Sequence, residues 1–476
     1  MSTLTSPDFK DNARAALADK QLQRALSEVA PGLAARRSAA RAALPEFEAL
    51  REAGRDIKDH TLAHLDIYLD EFERKAAAAG SIVHFASTAE DARRIVRDIC
   101  RDAKARLVTK GKSMISEEIG LNAALEGDGL EVVETDLGEY LIQIRGETPS
   151  HIIAPAIHLT QDQVEADFRR LHTKLPPDRQ LIEPSQLVAE ARQILRAKFL
   201  AADVGITGAN FLIAETGSSV IVTNEGNGDL TQSLPKVHIV LASIEKMVPT
   251  LEDAGTLIRL LARSATGQEI STYTTFSTGP RRAGDPDGPE ACHIVILDNG
   301  RAELLASEFR EVLRCIRCGA CMNHCPVYTA IGGHAYGWVY PGPIGAVLTP
   351  ALIGVRNAGH LPNASTFCGR CEQVCPMKIP LPGLMRHWRE AEFSAGDAPL
   401  LYRLGLAAWA AAARRPRLYH TLARIVMPVL ATLGRRRGRF RRLPLAGGWT
   451  RHRDLPAPQG RTFQALWADH HAGVPR

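Results

Sequence analysis

No apolar run in this sequence approaches the ~20 residues that a membrane span needs. The longest, at 404–413 and 425–433, are short, and Pro428 and Thr432 interrupt the second. The opening stretch Met1-Ser2-Thr3-Leu4-Thr5-Ser6-Pro7-Asp8 has neither a basic region nor an apolar core, so no secretory leader is expected. The usual nucleotide cradles are missing as well. Gly111-Lys112-Ser113 matches the end of a P-loop, but Arg106 stands where its first glycine belongs, and no G-x-G-x-x-G follows a strand. With no NAD, FAD or ATP motif and no span, the expectation is a cytoplasmic chain whose membrane contact is at most peripheral.

Cysteine is scarce too, nine in 476 residues, yet seven of the nine fall between Cys315 and Cys375. In a reducing compartment such clustering points to metal or catalysis and away from disulfides. Cys100, on an expected helix, and Cys292, at the start of an apolar strand, stand apart and read as packing residues. Acidic residues are absent from 398–453, which holds thirteen arginines. Removing those thirteen from the overall charge of +5 leaves −8 for the rest, so the basic character is local. That pattern argues for one docking surface and against a nucleic-acid-binding protein. With 45% hydrophobic and 23% charged residues, the chain as a whole has the balance of a protein with a sizeable core.

Four regions are expected. Residues 1–75 read as helix, with Leu62, Leu65, Leu69 and Phe72 at helical spacing and breaks at Pro31-Gly32, Pro45 and Gly54. His60 and His64 there lie one turn apart, without a third ligand, and read as a solvated face. Residues 76–300 alternate helix and strand signals, the pattern of an α/β domain with a largely parallel sheet. Strands are expected at 106–109, 130–134, 140–144, 151–153, 237–241 and 293–297, and a hairpin at 211–223. Helices are expected from Thr88 to about Lys104, from Thr160-x-x-Gln163, and from Ser185 to about Gly205. Residues 301–390 hold the cysteines. Residues 391–476 read as a basic helical region that turns irregular from Pro444.

Cys315-x-x-Cys318-x-x-Cys321-x-x-x-Cys325-Pro326 has the spacing of a bacterial ferredoxin run. Three thiolates on one tight loop reach three corners of a cubane, and the fourth serves a second cluster. Zinc needs four ligands from two short knuckles, and four cysteines within eleven residues crowd one tetrahedral ion. A second run, Cys368-x-x-Cys371-x-x-x-Cys375-Pro376, repeats the last three positions, and its missing first position falls on Ser365. Crossing over, Cys315, Cys318, Cys321 and Cys375 complete one cluster, whereas Cys325, Cys368 and Cys371 give the other only three thiolates. The second site is then a three-iron cluster, or a four-iron cluster whose fourth ligand is Ser365, His360, His324 or a partner's side chain. The segment between the runs, rich in Gly, Pro and aromatics (Tyr336-Gly-Trp338-Val-Tyr340-Pro-Gly-Pro-Ile-Gly), reads as a shield for a cluster or as a partner surface.

Two further stretches carry a family resemblance. Gly205-Ile-Thr-Gly-Ala-Asn-Phe-Leu-Ile-Ala-Glu-Thr-Gly217, continued by Val222-Thr-Asn-Glu-Gly-Asn-Gly228, resembles the signature of the LUD (lactate utilisation) domain. Followed by the cysteine runs, Tyr340-Pro-Gly-Pro-Ile-Gly345 and Phe367-Cys-Gly-Arg-Cys371, it resembles the LutB-type iron–sulfur proteins over nearly the whole chain. The resemblance implies a CoA-transferase-like α/β fold for the LUD part, an α-helical ferredoxin-like domain and a helical C-terminal tail. It also implies two [4Fe–4S] clusters and a role in oxidising L-lactate to pyruvate. The implied partners are a cysteine-rich redox protein, a second LUD protein and an electron acceptor.

Two functions are compatible with these residues. The first is an electron-transfer subunit relaying electrons from L-lactate. The second is a LUD domain that binds or transforms a small carboxylate or acyl substrate, with the clusters as redox sensor. For the second, Glu215 beside a Gly turn is the candidate nucleophile or base, with Thr223, Asn224, Glu225 and Asn227 nearby in sequence. Lys110, Lys112 and Ser113, between a strand and a helix start, are candidates to bind a carboxylate or phosphate.

Overall fold

The computed structural model describes residues 4–472 apart from 397, 399, 444, 445, 451 and 452. Helices Phe9–Ala18, Lys20–Ala42, Phe47–Ala63 and Leu65–Ala78 fill the N-terminal region. Pro31 and Gly32 do not break the second of these. Gly54 lies inside the third, where an added Cβ would meet Leu260 Cδ1 at 2.6 Å, so it serves close helix packing.

Six strands form an all-parallel sheet. They are β1 (Ile82–Ala86), β2 (Leu107–Lys110), β3 (Glu131–Glu134), β4 (Val204–Thr207), β7 (Val237–Ser243) and β10 (Ala291–Leu297), in the order β1-β10-β7-β4-β2-β3. Alternate residues face opposite ways, as a sheet covered on both faces requires. Ile239, Leu241, Val295 and Leu297 join one core, and Val240, Ala242, Ile294 and Ile296 join another that includes Phe72. Cys100 and Cys292 are buried in these two cores, as packing residues. The expected hairpin exists as β5 (Phe211–Ile213) and β6 (Ser218–Thr223), in a separate four-stranded sheet with β8 (Met247–Val248) and β9 (Tyr273–Ser277).

Three expectations need correction. Residues 140–144 are not a strand but part of helix Leu137–Arg145, because the Asp136 carboxylate accepts the Gly138 and Glu139 amides and left-handed Gly146 ends the turn. Residues 151–153 are irregular, with His151 Nδ1 accepting the amides of Ile153 and Ala154. The helix expected from Ser185 to Gly205 starts at Pro184 under a Glu183 cap and stops at Ala201, and β4 follows at once.

The chain divides into two compact units, Met1–Glu392 and Phe393–Arg476. The largest core of the first unit joins Phe47 and Leu62 of the N-terminal helices, Phe211 and Val220 of the small sheet, and Cys318, Cys325, Cys371 and Cys375. The second unit holds helices Leu400–Ala413, Pro416–Gly434 and Phe463–Ala472 and a two-stranded ribbon, Arg439–Phe440 with Leu455–Pro456. The irregular stretch expected from Pro444 therefore contains a helix; Pro444 itself lies outside the described residues. No helix among the described residues is long and apolar enough to cross a membrane.

Candidate metal centre and the adjoining cavity

The two cysteine runs fold as matching loops. In the first, Arg317 (φ 59) and Gly319 (φ 71) flank Cys318 in left-handed conformations; in the second, Phe367 (φ 54) and Gly369 (φ 76) flank Cys368 likewise. A short helix follows each, Ala320–Asn323 and Arg370–Val374, and carries Cys321 and Cys371. The match extends to the position where the cysteines differ. The Arg317 amide donates to Cys315 Sγ at 3.4 Å, and the Phe367 amide donates to Ser365 Oγ at 3.1 Å. Ser365 thus occupies the place in its loop that Cys315 holds in the other.

Cys315, Cys318, Cys321 and Cys375 line one small cavity, walled by Ile152, Ile344, Met377 and Leu381. Cys325, Cys368 and Cys371 line a second, together with His324 and Ser365. His360 is not in that lining; its Nε2 bonds the Ser6 carbonyl. Cys318, Cys325, Cys371 and Cys375 are buried and Cys368 is exposed. Burial pushes the thiols of Cys318 and Cys371 up to about 12 and that of Cys375 up to about 11. Binding of iron there would therefore release protons. The Arg370 amide and the Thr366 hydroxyl hold the exposed Cys368 thiol below its usual range.

The donor set fits iron–sulfur clusters. An anionic cluster needs converging thiolates, amide donors to sulfur and counter-charge. Arg51 donates to the Cys375 carbonyl at 2.7 Å and Arg37 to the Val374 carbonyl at 2.6 Å, and both guanidinium groups are buried. The Tyr328 amide donates to Cys325 Sγ at 3.5 Å. The aromatic segment between the runs is buried against the cysteine loops: Tyr328, Tyr336 and Tyr340 are fully buried, and helix Gly342–Ile353 packs into the core that holds Cys318, Cys325, Cys371 and Cys375. A separate group of ligand-type side chains, Glu147, His158 and His334, has its charge already committed. Burial pushes the Glu147 carboxyl up, but His158 at 2.8 Å and Arg145 at 2.9 Å outweigh it and hold it at about 2.

A buried ion network ties the first cysteine loop to the parallel sheet. Glu245, just after β7, pairs with Arg301 at 2.9 Å and with Arg317 at 3.1 Å. Arg301 grips Glu118 at 2.6 Å, Tyr340 donates to the same carboxylate at 2.7 Å, and the Arg317 guanidinium lies 5.0 Å over the Tyr340 ring. Burial alone would raise the Glu245 carboxyl, yet Arg301 and Arg317 hold it at about 2. Breaking such a fully buried set costs far more than its net stabilisation, so its value lies in fixing position.

Beside this network lies a cavity of about 220 Å³. Its place follows from the strand order: β2 leads on to β3 on one side, whereas β4 leads to β7 on the other. The crevice between the carboxyl ends of β2 and β4 is therefore the topological switch point, where ligands bind in open α/β sheets. Gly111–Ser113 after β2 and Gly208–Asn210 after β4 line it, and Arg317 of the cysteine loop forms part of its wall. Lys112 and Ser113 reach this cavity; Lys112 also donates to the Ile153 carbonyl. Lys110 does not reach it, being buried against Glu134 at 2.6 Å and Ser116 at 2.7 Å. Glu215 lies outside the lining, where its carboxylate accepts the Leu251 amide at 3.0 Å and caps helix Leu251–Ala265. The His60 and His64 rings lie 4.6 Å apart at a tilt of 36°, and His60 bonds the Tyr68 hydroxyl. Lys246 and Arg317 are cavity residues that sequence reasoning missed. Their only signals were a lysine directly after an apolar strand and an arginine inside a C-x-x-C loop.

The LUD domain family profile matches residues 69–297, a 4Fe-4S dicluster domain profile matches 311–379, and the profile "Lactate utilisation protein B, C-terminal" matches 391–472. Lactate utilization protein B of Geobacillus sp. (strain WCH70) is 43% identical over 98% of both chains. The chain belongs to the lactate utilization protein B family. Relatives of the same name from Bacillus licheniformis and Macrococcus caseolyticus are each 42% identical, over 97% and 96% of this chain and 96% of their own. A solved DUF162 family protein from Deinococcus radiodurans matches 49% of this chain and 98% of its own at 16% identity. Its TM-score of 0.28 is too low to bear on the fold.

Proposed function

We propose that this chain is the iron–sulfur electron-transfer subunit of a lactate-utilisation system, acting in the oxidation of L-lactate to pyruvate. The observation that carries the reading is the parting of seven cysteines into an enclosed four and a three that reaches the surface at Cys368. Cys315, Cys318, Cys321 and Cys375 are assigned to one [4Fe–4S] cluster. Cys325, Cys368 and Cys371 are assigned to the other, with Ser365 Oγ as the fourth ligand on the strength of its matching amide bond. When bound, such clusters pass single electrons at potentials from roughly −700 to +450 mV, a range that spans the needs of an organic acid couple. Two of them suit a donor that gives up two electrons.

The protein's own contribution is positional. Arg37, Arg51 and Arg317 supply buried positive charge, the tyrosine-rich segment excludes water, and exposed Cys368 marks the side open to an acceptor. The family name of the relatives supports lactate as the fuel and a place among other subunits; the resemblance in sequence implies that these are a cysteine-rich redox protein and a second LUD protein. Anaerobic protein should be bleached by L-lactate when those partners are present. Bleaching by dithionite but never by L-lactate, with every partner added, would sink the reading.

A further inference from the structure

We propose that the cavity at the carboxyl ends of β2 and β4 binds a small monocarboxylate with an oxygen on its second carbon, anchored by Lys246 and held against the loop of Cys315 and Cys318. The proposal deepens the function given above by placing its substrate class on this chain, and it rests on that reading for the choice of acid.

Lys246 is the decisive residue. It lines the cavity at 7% exposure and makes no hydrogen bond or ion pair with any described residue. The adjacent Glu245 is already taken by Arg301 and Arg317. Glu245 and Cys315 attract its charge from nearby but neither bonds it, so burial leaves the ammonium without a direct partner, and an anion in the cavity would supply one. Two more polar atoms of the lining are buried without partners, Thr223 Oγ1 and Asn227 Oδ1. Thr223 Oγ1 suits a hydroxyl or keto oxygen, Asn227 Oδ1 accepts from a hydroxyl, and Ile115, Ile221, Leu241 and Leu261 offer apolar surface for a methyl group. The cavity's 220 Å³ admits a three-carbon acid with a few waters. Asp136 and Glu225 also line it and would oppose a phosphate dianion, so the charge balance favours a monoanion. Arg317 belongs to both the cavity and the first cysteine loop, which brings the bound acid beside the enclosed group of four thiols.

The test uses anaerobic full-length protein with its iron, titrated with sodium L-lactate, pyruvate, propionate and phosphate. Binding is followed by calorimetry and saturation-transfer NMR, and iron content and melting temperature are measured on the same samples. Wild type should bind L-lactate or pyruvate more tightly than propionate or phosphate. Lys246→Met should weaken that binding about 10–100-fold, the loss of one charge-assisted bond, at unchanged iron and without a lower melting temperature. Asn227→Ala should narrow the gap between lactate and propionate, and it carries the test if the Lys246 variant fails to fold. Tighter binding of phosphate, or unchanged binding by either variant with full iron, would overturn the proposal. Two clusters without acid binding would overturn it alone; acid binding without clusters would overturn the electron-transfer reading alone.

Discussion

Ser365 differs by one atom from the cysteine that holds the matching place in the other loop. Its Oγ accepts the Phe367 amide as Cys315 Sγ accepts that of Arg317, but a serine oxygen is a harder ligand than a thiolate and holds a cluster iron less firmly. Brief exposure of the protein to air should therefore give a three-iron signal in electron paramagnetic resonance. Ser365→Cys should suppress that signal, and Cys325→Ser should abolish it; simultaneous decay of both clusters without a three-iron species would refute the assignment. Glu147 makes a separate prediction about pH. Its folded carboxyl sits at about 2, below the usual ~4.3 of an unfolded glutamate. Its stabilisation is thus complete above pH ~4.3 and lost as pH falls towards 2. Glu147→Gln should cost about 1–2 kcal/mol at pH 7, a gap that denaturant titration should find constant to pH ~5 and shrinking below. At this scale the cysteines were legible because cluster ligands lie close together in sequence. Lys246 and Arg317 were not, because the strand order that joins them to one cavity links segments some seventy residues apart.

Among the elements, β4 shows how a short strand escapes notice. Val204-Gly-Ile-Thr207 has only four residues, one of them glycine, directly after a helix, and carries too little periodicity to separate it. Gly205 is nevertheless demanded by packing. An added Cβ would lie 1.8 Å from the Thr231 carbonyl oxygen, where helix Asn227–Ser233 rests on the strand. Gly205→Ala should destabilise the first unit by roughly 3 kcal/mol or more, read as a lowered melting temperature, because backbone must move. Helix Leu137–Arg145 escaped for the opposite reason. Its Tyr140-Leu-Ile run favours strand on composition, and only the cap at Asp136 decides for helix. The long strands β7 and β10 were plain, since buried parallel strands read as unbroken apolar runs. At the level of the two cysteine loops, Cys315→Ser should remove the enclosed cluster first and Cys368→Ser the exposed one, which spectroscopy of each variant can separate.

Across the whole molecule, apolar surface and positive charge are concentrated at the C-terminal end. Helix Leu400–Ala413 has no buried residue, and Leu401, Trp409 and Leu433 are well exposed. Thirteen arginines between 398 and 453 accompany them without one acidic residue. Such helices bind anionic surfaces with a strength that salt reduces. Deleting 398–476 should keep the iron but weaken low-salt co-sedimentation with anionic vesicles or copurification with partner subunits; unchanged association would count against docking. The most direct test of the account as a whole is the cluster content of anaerobically purified protein, by iron and acid-labile sulfide analysis with electron paramagnetic resonance. About eight irons, matching sulfide and two reducible centres per chain are expected. Stoichiometric zinc without labile sulfide, or a single four-iron centre, would contradict the two-cluster assignment.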